Sequence, residues 1–161
     1  MLRDATEDDL RDIVEIFNVA VASRNSTAVL EPVTIEERRP WLEEHSPDHY
    51  PLWVLEVEKR VAGWLSFQAF MPRSAYRGTA EISVYVHNDF HRHGVARRLL
   101  EEAIERSSDL GISALVGLIL GHNKASLALF ESLGFARWGL LPRVTRLDGK
   151  ERDIVIVGKN F

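Results

Sequence analysis

Apolar positions along this chain follow two periods, and the switches between them predict the elements. Leu2 to Ala5 can form a short strand. Thr6 reads as a helix N-cap, with Glu7, Asp8 and Asp9 in the first turn, where the helix dipole favours acids. Leu10, Ile13, Val14, Phe17 and Val21 recur at i, i+3, i+4 spacing, so an amphipathic helix runs to about Ala22. A loop from Ser23 to Val33 follows. Thr34-x-x-Glu37 is a capping box for a second helix that carries Trp41 and Leu42. Pro40 lies far enough inside to predict a kink or a break.

From Leu52 onward the period shortens to two. Leu52 to Glu58 and Val61 to Phe70 read as a hairpin around the charged Glu58-Lys59-Arg60 turn. Ile82 to Val86 is a β-branched and aromatic strand. It leads through a polar loop into a helix from Gly94 to Leu110, with Val95, Leu99, Ala103 and Ile104 as its core stripe and Gly111 as its stop. Ala114 to Leu120 is nearly continuous apolar sequence, the pattern of a strand buried on both faces. Asn123 caps a further helix that ends at Gly134. Phe135 to Leu141 and Asp153 to Lys159 close the chain as strands, the last preceded by an Asp148-Gly149 turn. The order βα(α)ββ–βαβαββ predicts an α/β (α+β) fold with a mixed central sheet and helices on both faces.

The totals narrow the function classes. A length of 161 residues without repeat or linker fits one domain, residues 1–161. A net charge of −4 argues against a nucleic-acid partner held by general electrostatics. No apolar run approaches a membrane span and the N-terminus lacks an apolar signal core, so no membrane partner is expected and cytoplasmic residence is the default. The absence of cysteine excludes disulfides, thiolate metal sites and a Cys nucleophile.

Candidate chemistry concentrates between Thr79 and Arg98. A strand, a Gly-bearing loop and a helix present several backbone N–H groups and a helix N-terminus to one anion, and Arg92, Arg97 and Arg98 reinforce that field. One Gly with Ala96 two residues on fits neither the dinucleotide nor the NTPase glycine spacing. His87, His91 and His93 lack a converging fourth ligand, so they read as phosphate-lining residues and no metal is expected. Strand alternation puts Glu81, Ser83 and Tyr85 on one face. Beside an anion loop Glu81 becomes a general-base candidate; elsewhere it would be a solvated carboxylate. N-capping suffices to explain Asn123, while Ser126 is either a cofactor contact or a tolerated helix serine. Arg73, Tyr76 and Arg77 precede the strand, where arginines are either solvated or clamp a substrate carboxylate. Trp41, Trp53, Trp64 and Trp138 read as core or interface residues.

The spacing His91-x-x-Gly94-x-Ala96 resembles the Q/R-x-x-G-x-G/A signature of GNAT superfamily N-acetyltransferases. Ser26-Thr27, Glu31-Pro32-Val33-Thr34, Arg73-Ser-Ala-Tyr76, Thr79-Ala-Glu81, Ser83-Val-Tyr-Val86, Asn123-Lys-Ala-Ser126 and Leu133-Gly134-Phe135 resemble its phosphinothricin acetyltransferase-like branch. That resemblance implies a GNAT fold, acetyl-coenzyme A as donor, a small amino-acid-like amine as acceptor, and a homodimer. It implies Glu81 as the base, acting through water. Backbone amides of Val84, Tyr85 and Val86 would polarise the thioester carbonyl and orient pantetheine. Arg92, His93, Gly94, Val95, Ala96 and Arg97 would bind the pyrophosphate, Asn123 and Ser126 would contact the cofactor, and Arg73, Tyr76, Arg77 and Thr79 would hold the acceptor. Phe130 stands where phosphinothricin enzymes tend to carry His. Other acceptors compatible with the same resemblance are a protein N-terminus or a polyamine, and a catalytically silent acyl-coenzyme A sensor is the non-enzymatic alternative.

Overall fold

The computed structural model describes all residues from Met1 to Phe161. In chain order the elements are β1 (Leu2–Asp4), α1 (Leu10–Ser23), α2 (Ile35–Glu43), β2 (Leu52–Val57), β3 (Arg60–Ala69), β4 (Thr79–Val86), α3 (Val95–Arg106), β5 (Ala114–Leu120), α4 (Lys124–Ser132), β6 (Ala136–Leu147) and β7 (Lys150–Asn160). Seven strands form one sheet in the order β1-β2-β3-β4-β5-β7-β6. Every neighbouring pair is antiparallel except β4 and β5. The crossover through α3 makes that one parallel pairing possible.

Alternation along the strands feeds two cores. Trp53, Leu55, Leu65 and Phe67 join Val95, Leu99, Leu100 and Ala103 of α3 and Leu127 and Phe130 of α4. Leu52, Val54 and Trp64 point the other way and meet Ile13, Ile16, Phe17 and Val21 of α1. The helices therefore cover both faces, as the sequence predicts. Gly63 sets the approach of α3: a Cβ there would meet the Tyr85 carbonyl oxygen at 2.8 Å and Val95 Cγ1 at 2.9 Å. Only a bare Cα lets the first turn of α3 press onto β3 and β4.

Several boundaries differ from the sequence reading, each for a local reason. The first helix opens as a 3₁₀ turn over Glu7–Asp9, tied by Asp9 Oδ2 accepting from the Thr6 N–H at 2.8 Å. The second helix runs unbroken through Pro40, correcting the expected break. At that depth proline forfeits one bond, and the reciprocal Thr34–Glu37 cap and the ring–cation stack of Arg38 and Trp41 hold the turn. The third helix ends at Arg106, four residues short of Leu110, because the buried Ser107 hydroxyl bonds the Ala103 carbonyl and Ile112 N–H returns to the Ser107 carbonyl. Its stripe includes Leu100, fully buried, with Ile104 at the margin. The last two strands extend to Leu147 and from Lys150, joined by the two-residue Asp148-Gly149 turn with φ of 49° and 79°. Arg143 at φ 54°, whose N–H bonds Asp153 Oδ1 at 2.8 Å, is a bulge that hides this long hairpin from a strict period-two reading.

Candidate active site

The parallel pair is zipped at one end only. Thr79, Ala80 and Glu81 pair with Ala114, Leu115 and Val116, and beyond Glu81 the two strands have no further pairing. β4 stays with β3 as far as Val86, and β5 stays with β7 as far as Leu120. The sheet therefore opens into a cleft whose empty space, counted out into its open mouth, is about 410 Å³. Ile82 to Tyr85 form one wall and Gly117 to Leu120 the other, while Ser26, Asn123, Ser126 and Phe130 complete the lining. Leu118, 44% exposed, is the exception to the expected two-sided burial of β5, because the cleft opens beside it.

Backbone pairing decides which amides face this opening. His87 N–H bonds the Ala62 carbonyl, so in the antiparallel register Tyr85, Ser83 and Glu81 spend their backbone groups on β3. Val84 and Val86 turn the opposite way, towards the missing part of β5. Val86 carbonyl is taken by His91 Nε2 at 3.0 Å, which leaves the Val84 and Val86 N–H groups towards the cleft. The Tyr85 N–H is committed to Trp64, and Tyr85 enters the site through its side chain. On the far wall Gly121 N–H bonds Asp153, so by the same alternation Leu118 presents its amide to the cleft.

Where β4 ends, the chain makes a 3₁₀ turn over Asn88–Phe90 and passes through two left-handed residues, Arg92 (φ 62°) and Gly94 (φ 77°). These conformations turn successive N–H groups to one side. His91 and His93 N–H return to Asn88 and Phe90, and Arg98 N–H bonds Gly94. Arg92, Gly94, Val95, Ala96 and Arg97 have no such partner for their N–H groups, so five donors, three of them in the first turn of α3, are left free where β4 gives way to α3. This is a fit for a diphosphate. Arg97 contributes its amide; its guanidinium is drawn off to Ser132 Oγ at 2.8 Å and towards Glu101. His93 is exposed, and no group of three metal-ligating side chains converges anywhere.

Glu81 sits half-buried where the strands part. Burial alone pushes its pKa above the ordinary carboxylate value, since no cation or donor stands by to lower it. Tyr85, two positions on along the same face, has its phenol pKa raised by burial, and its hydroxyl donates to the Ser26 carbonyl at 3.4 Å. Asn123, 5% exposed, accepts from Ser126 N–H at 3.2 Å as the α4 N-cap and lines the cleft with Ser126. Phe130 closes the floor, its ring 4.9 Å from that of Phe135. Gly117 accommodates it, since a Cβ there would lie 3.1 Å from the Phe130 ring.

Arg73, Tyr76 and Arg77 lie exposed around a 3₁₀ turn at the other end of β4, and none lines the cleft. Tyr76 packs on Phe70, and the Arg77 carbonyl accepts from Tyr50. Thr79 is half-buried at the paired end of the strands. Ser26 and Gly117 line the cleft without a site role in the sequence reading, where Ser26 enters only as part of the Ser26-Thr27 pair of the family resemblance. The role of Ser26 had no signal of its own, because a carbonyl acceptor has no residue signature. Gly117 did: a glycine in an apolar strand marks a close approach.

Residues 10–135 match the model of the acetyltransferase (GNAT) family. YwnH of Bacillus subtilis, provisionally named a phosphinothricin acetyltransferase, is 46% identical over 161 residues, spanning 99% of this chain and 98% of its own. The L-methionine sulfoximine/L-methionine sulfone acetyltransferase of Pseudomonas aeruginosa is 34% identical over 163 residues, covering 99% and 94% of the two chains. Among solved structures, a GNAT superfamily phosphinothricin acetyltransferase from Sinorhizobium meliloti in complex with acetyl-coenzyme A superposes with a TM-score of 0.94 at 30% identity, covering 100% of this chain and 88% of that one.

Proposed function

The chain belongs to the acetyltransferase (GNAT) family, and from that membership we propose that it moves acetyl from acetyl-coenzyme A to the amine of a small amino acid of the methionine sulfone, methionine sulfoximine or phosphinothricin kind. The observation that carries the reading is the one-ended pairing of β4 and β5, with a carboxylate at the fork and five free N–H donors beyond its mouth. Acetyl-coenzyme A supplies a thioester, an acyl group already activated for attack by nitrogen. The chain's residues do the rest. The amides of Arg92, Gly94, Val95, Ala96 and Arg97 grip the pyrophosphate. Val84 and Val86 N–H groups bond the extended pantetheine and the carbonyl oxygen on which charge develops. Asn123 and Ser126 border the same cleft from the α4 side.

An amino-acid ammonium must lose a proton before it can attack. Glu81, with its raised pKa, is a stronger base than an exposed carboxylate and takes that proton through water. The C–N bond forms on the carbonyl carbon, the tetrahedral adduct collapses with loss of the C–S bond, and sulfur leaves as a thiolate that takes up the second proton the nitrogen gives up. A thiol of pKa about 8.5 leaves tolerably without an acid, so Phe130 in the floor does not prevent turnover. The acceptor ammonium enters from the α1–α2 side, the face that Glu81, Ser83 and Tyr85 share. Residues 1–161 act as one cytoplasmic domain. The exposed β6 side chains Trp138, Leu140, Leu141 and Val144 supply apolar surface along this edge strand for a homodimer.

The test is coenzyme A release measured against methionine sulfone, methionine sulfoximine, phosphinothricin, polyamines and N-terminal peptides. Turnover confined to the first group supports the reading; preference for a polyamine or peptide overturns the acceptor. Tight acetyl-coenzyme A binding with no release on any amine would make the chain a sensor.

A further inference from the structure

Gly117 is the first residue of β5 past the last paired position, Val116, and Ile82 stands in the same place on β4. Both turn to the α3–α4 side of the sheet, opposite the face that Glu81, Ser83 and Tyr85 share. Gly117 brings no side chain there, and the Phe130 ring of α4 takes the vacant space. A Cβ on Gly117 would lie 3.1 Å from Phe130 Cε1 and 3.0 Å from Val157 Cγ2. The Phe130 ring is itself held from below, edge-on to Phe135 at 4.9 Å, and α4 is fixed at its start by the Asn123 side chain, which accepts the Ser126 N–H. Ile82 and Phe130 are both buried, and with Gly117 they line the cleft. Under the fork, the cleft therefore ends on a packed aromatic ring.

This floor bears on the donor. From a thioester held at the Val84 and Val86 amides, an acyl chain longer than acetyl has three ways to run. Along the cleft, the backbone pairing of Glu81 with Val116 closes the strands. Towards α1 and α2, the chain would fill the side from which the amine approaches Glu81. Towards α3 and α4, it meets Phe130 and Ile82. We propose that Phe130, seated where Gly117 has no side chain, restricts the acyl group of the donor to acetyl. The two residues are a matched pair: a side chain at 117 would displace the ring, and a smaller residue at 130 would open the floor. The inference rests on the acyl-coenzyme A reading above and adds the residue that sets the length of the group transferred.

The test compares acetyl- and butyryl-coenzyme A, first by titration calorimetry with no amine present, then by coenzyme A release with methionine sulfone. The parent should favour the acetyl donor by on the order of 10- to 100-fold in kcat/KM, the discrimination that one or two misplaced methylenes produce in a closed apolar site, and by about 10-fold in affinity. Phe130→Leu should raise the butyryl-to-acetyl ratio in both assays, and Phe130→Ala should raise it further, by roughly 10-fold. Each ratio is taken within one variant, so a smaller folded fraction cancels. Leu127→Ala is the control. Leu127 is buried in the same helix, three residues earlier and outside the cleft lining, so its loss should lower Tm and keep the parental ratio. A parental ratio near one in either assay, an unmoved ratio in the Phe130 variants, or the same shift in Leu127→Ala would overturn the proposal and leave acetyl transfer untouched. Selection by chain length in calorimetry that Phe130→Ala abolishes, without release on any amine, would instead sink the transfer reading and leave the role of the floor standing.

Discussion

Two glycines of this chain differ in what lies in front of them and in almost nothing else. Gly94 opens α3 at φ 77°, Gly149 closes the β6–β7 turn at φ 79°, and a Cβ built on either meets no atom within 4 Å. Alanine at either position therefore costs only the left-handed backbone penalty, about 1–2 kcal/mol. In a chain of this size that lowers Tm by roughly 2–8 °C. The two variants should melt together. They should part in acetyl-coenzyme A binding, because the open space at Gly94 is flanked by the free N–H groups of Arg92, Val95 and Ala96. A methyl group there would hold a diphosphate away from one or two donors. Each such bond to a charged oxygen is worth about 1.5–3 kcal/mol. Gly94→Ala should weaken acetyl-coenzyme A by roughly 10- to 100-fold in titration calorimetry relative to Gly149→Ala. Equal dissociation constants for the two variants would show that the diphosphate does not sit on this loop, and the assignment of the whole cleft would fall with it.

Glu81→Gln should cut kcat by about 10²–10⁴-fold with acetyl-coenzyme A affinity retained, as calorimetry and coenzyme A release would show. In the parent, kcat/KM should decline in acid below the raised pKa of Glu81, which must be ionised to accept a proton. The effect on stability runs the other way. A carboxyl whose folded pKa lies above its unfolded value contributes fully below the unfolded value and loses that contribution as pH rises through the folded one. The Gln variant should therefore melt above the parent at neutral pH, with the gap closing towards about pH 4. Asp9 has the opposite sign: burial alone would raise its pKa, but Arg3, at 2.7 Å, and the Thr6 N–H together outweigh that and hold it below the usual range, so its contribution is present at neutral pH and is lost as acid protonates it. Asp9→Asn should cost about 1–3 kcal/mol at pH 7 by urea unfolding, the weight of its charge-assisted bonds while Arg3 keeps Glu56 at 2.6 Å, and less in acid. A Cβ at Gly158 would fall inside the Trp138 ring, so Gly158→Ala should expel that indole and destabilise β6 by about 1–3 kcal/mol, read as a red shift in Trp emission and a lower Tm.

The frame of this fold is legible from periodicity because its helices and strands are amphipathic in the ordinary way. Leu10, Ile13, Phe17 and Val21 are buried where their spacing puts them. The acid at position 81, the glycine at 94 and the cap at Asn123 are legible because each has a local reason to be there. What escapes the sequence is whatever depends on a bond that is absent. Nothing in Ile82-Ser83-Val84 or Gly117-Leu118-Ile119 says that these segments, both strand-like, part company after Glu81. Alternation predicted the faces of side chains, yet the amides of Val84, Tyr85 and Val86 divide by a hydrogen-bond register that only the β3 partner fixes. The stacking of Arg38 was hidden for a related reason. Its surroundings are two aromatic rings, one of them Phe17 of α1 and the other Trp41 of its own helix. A chain announces the groups it contains. The free donors and the unzipped pair are vacancies in its own bonding, and in this protein both lie along the split between β4 and β5 or where β4 gives way to α3.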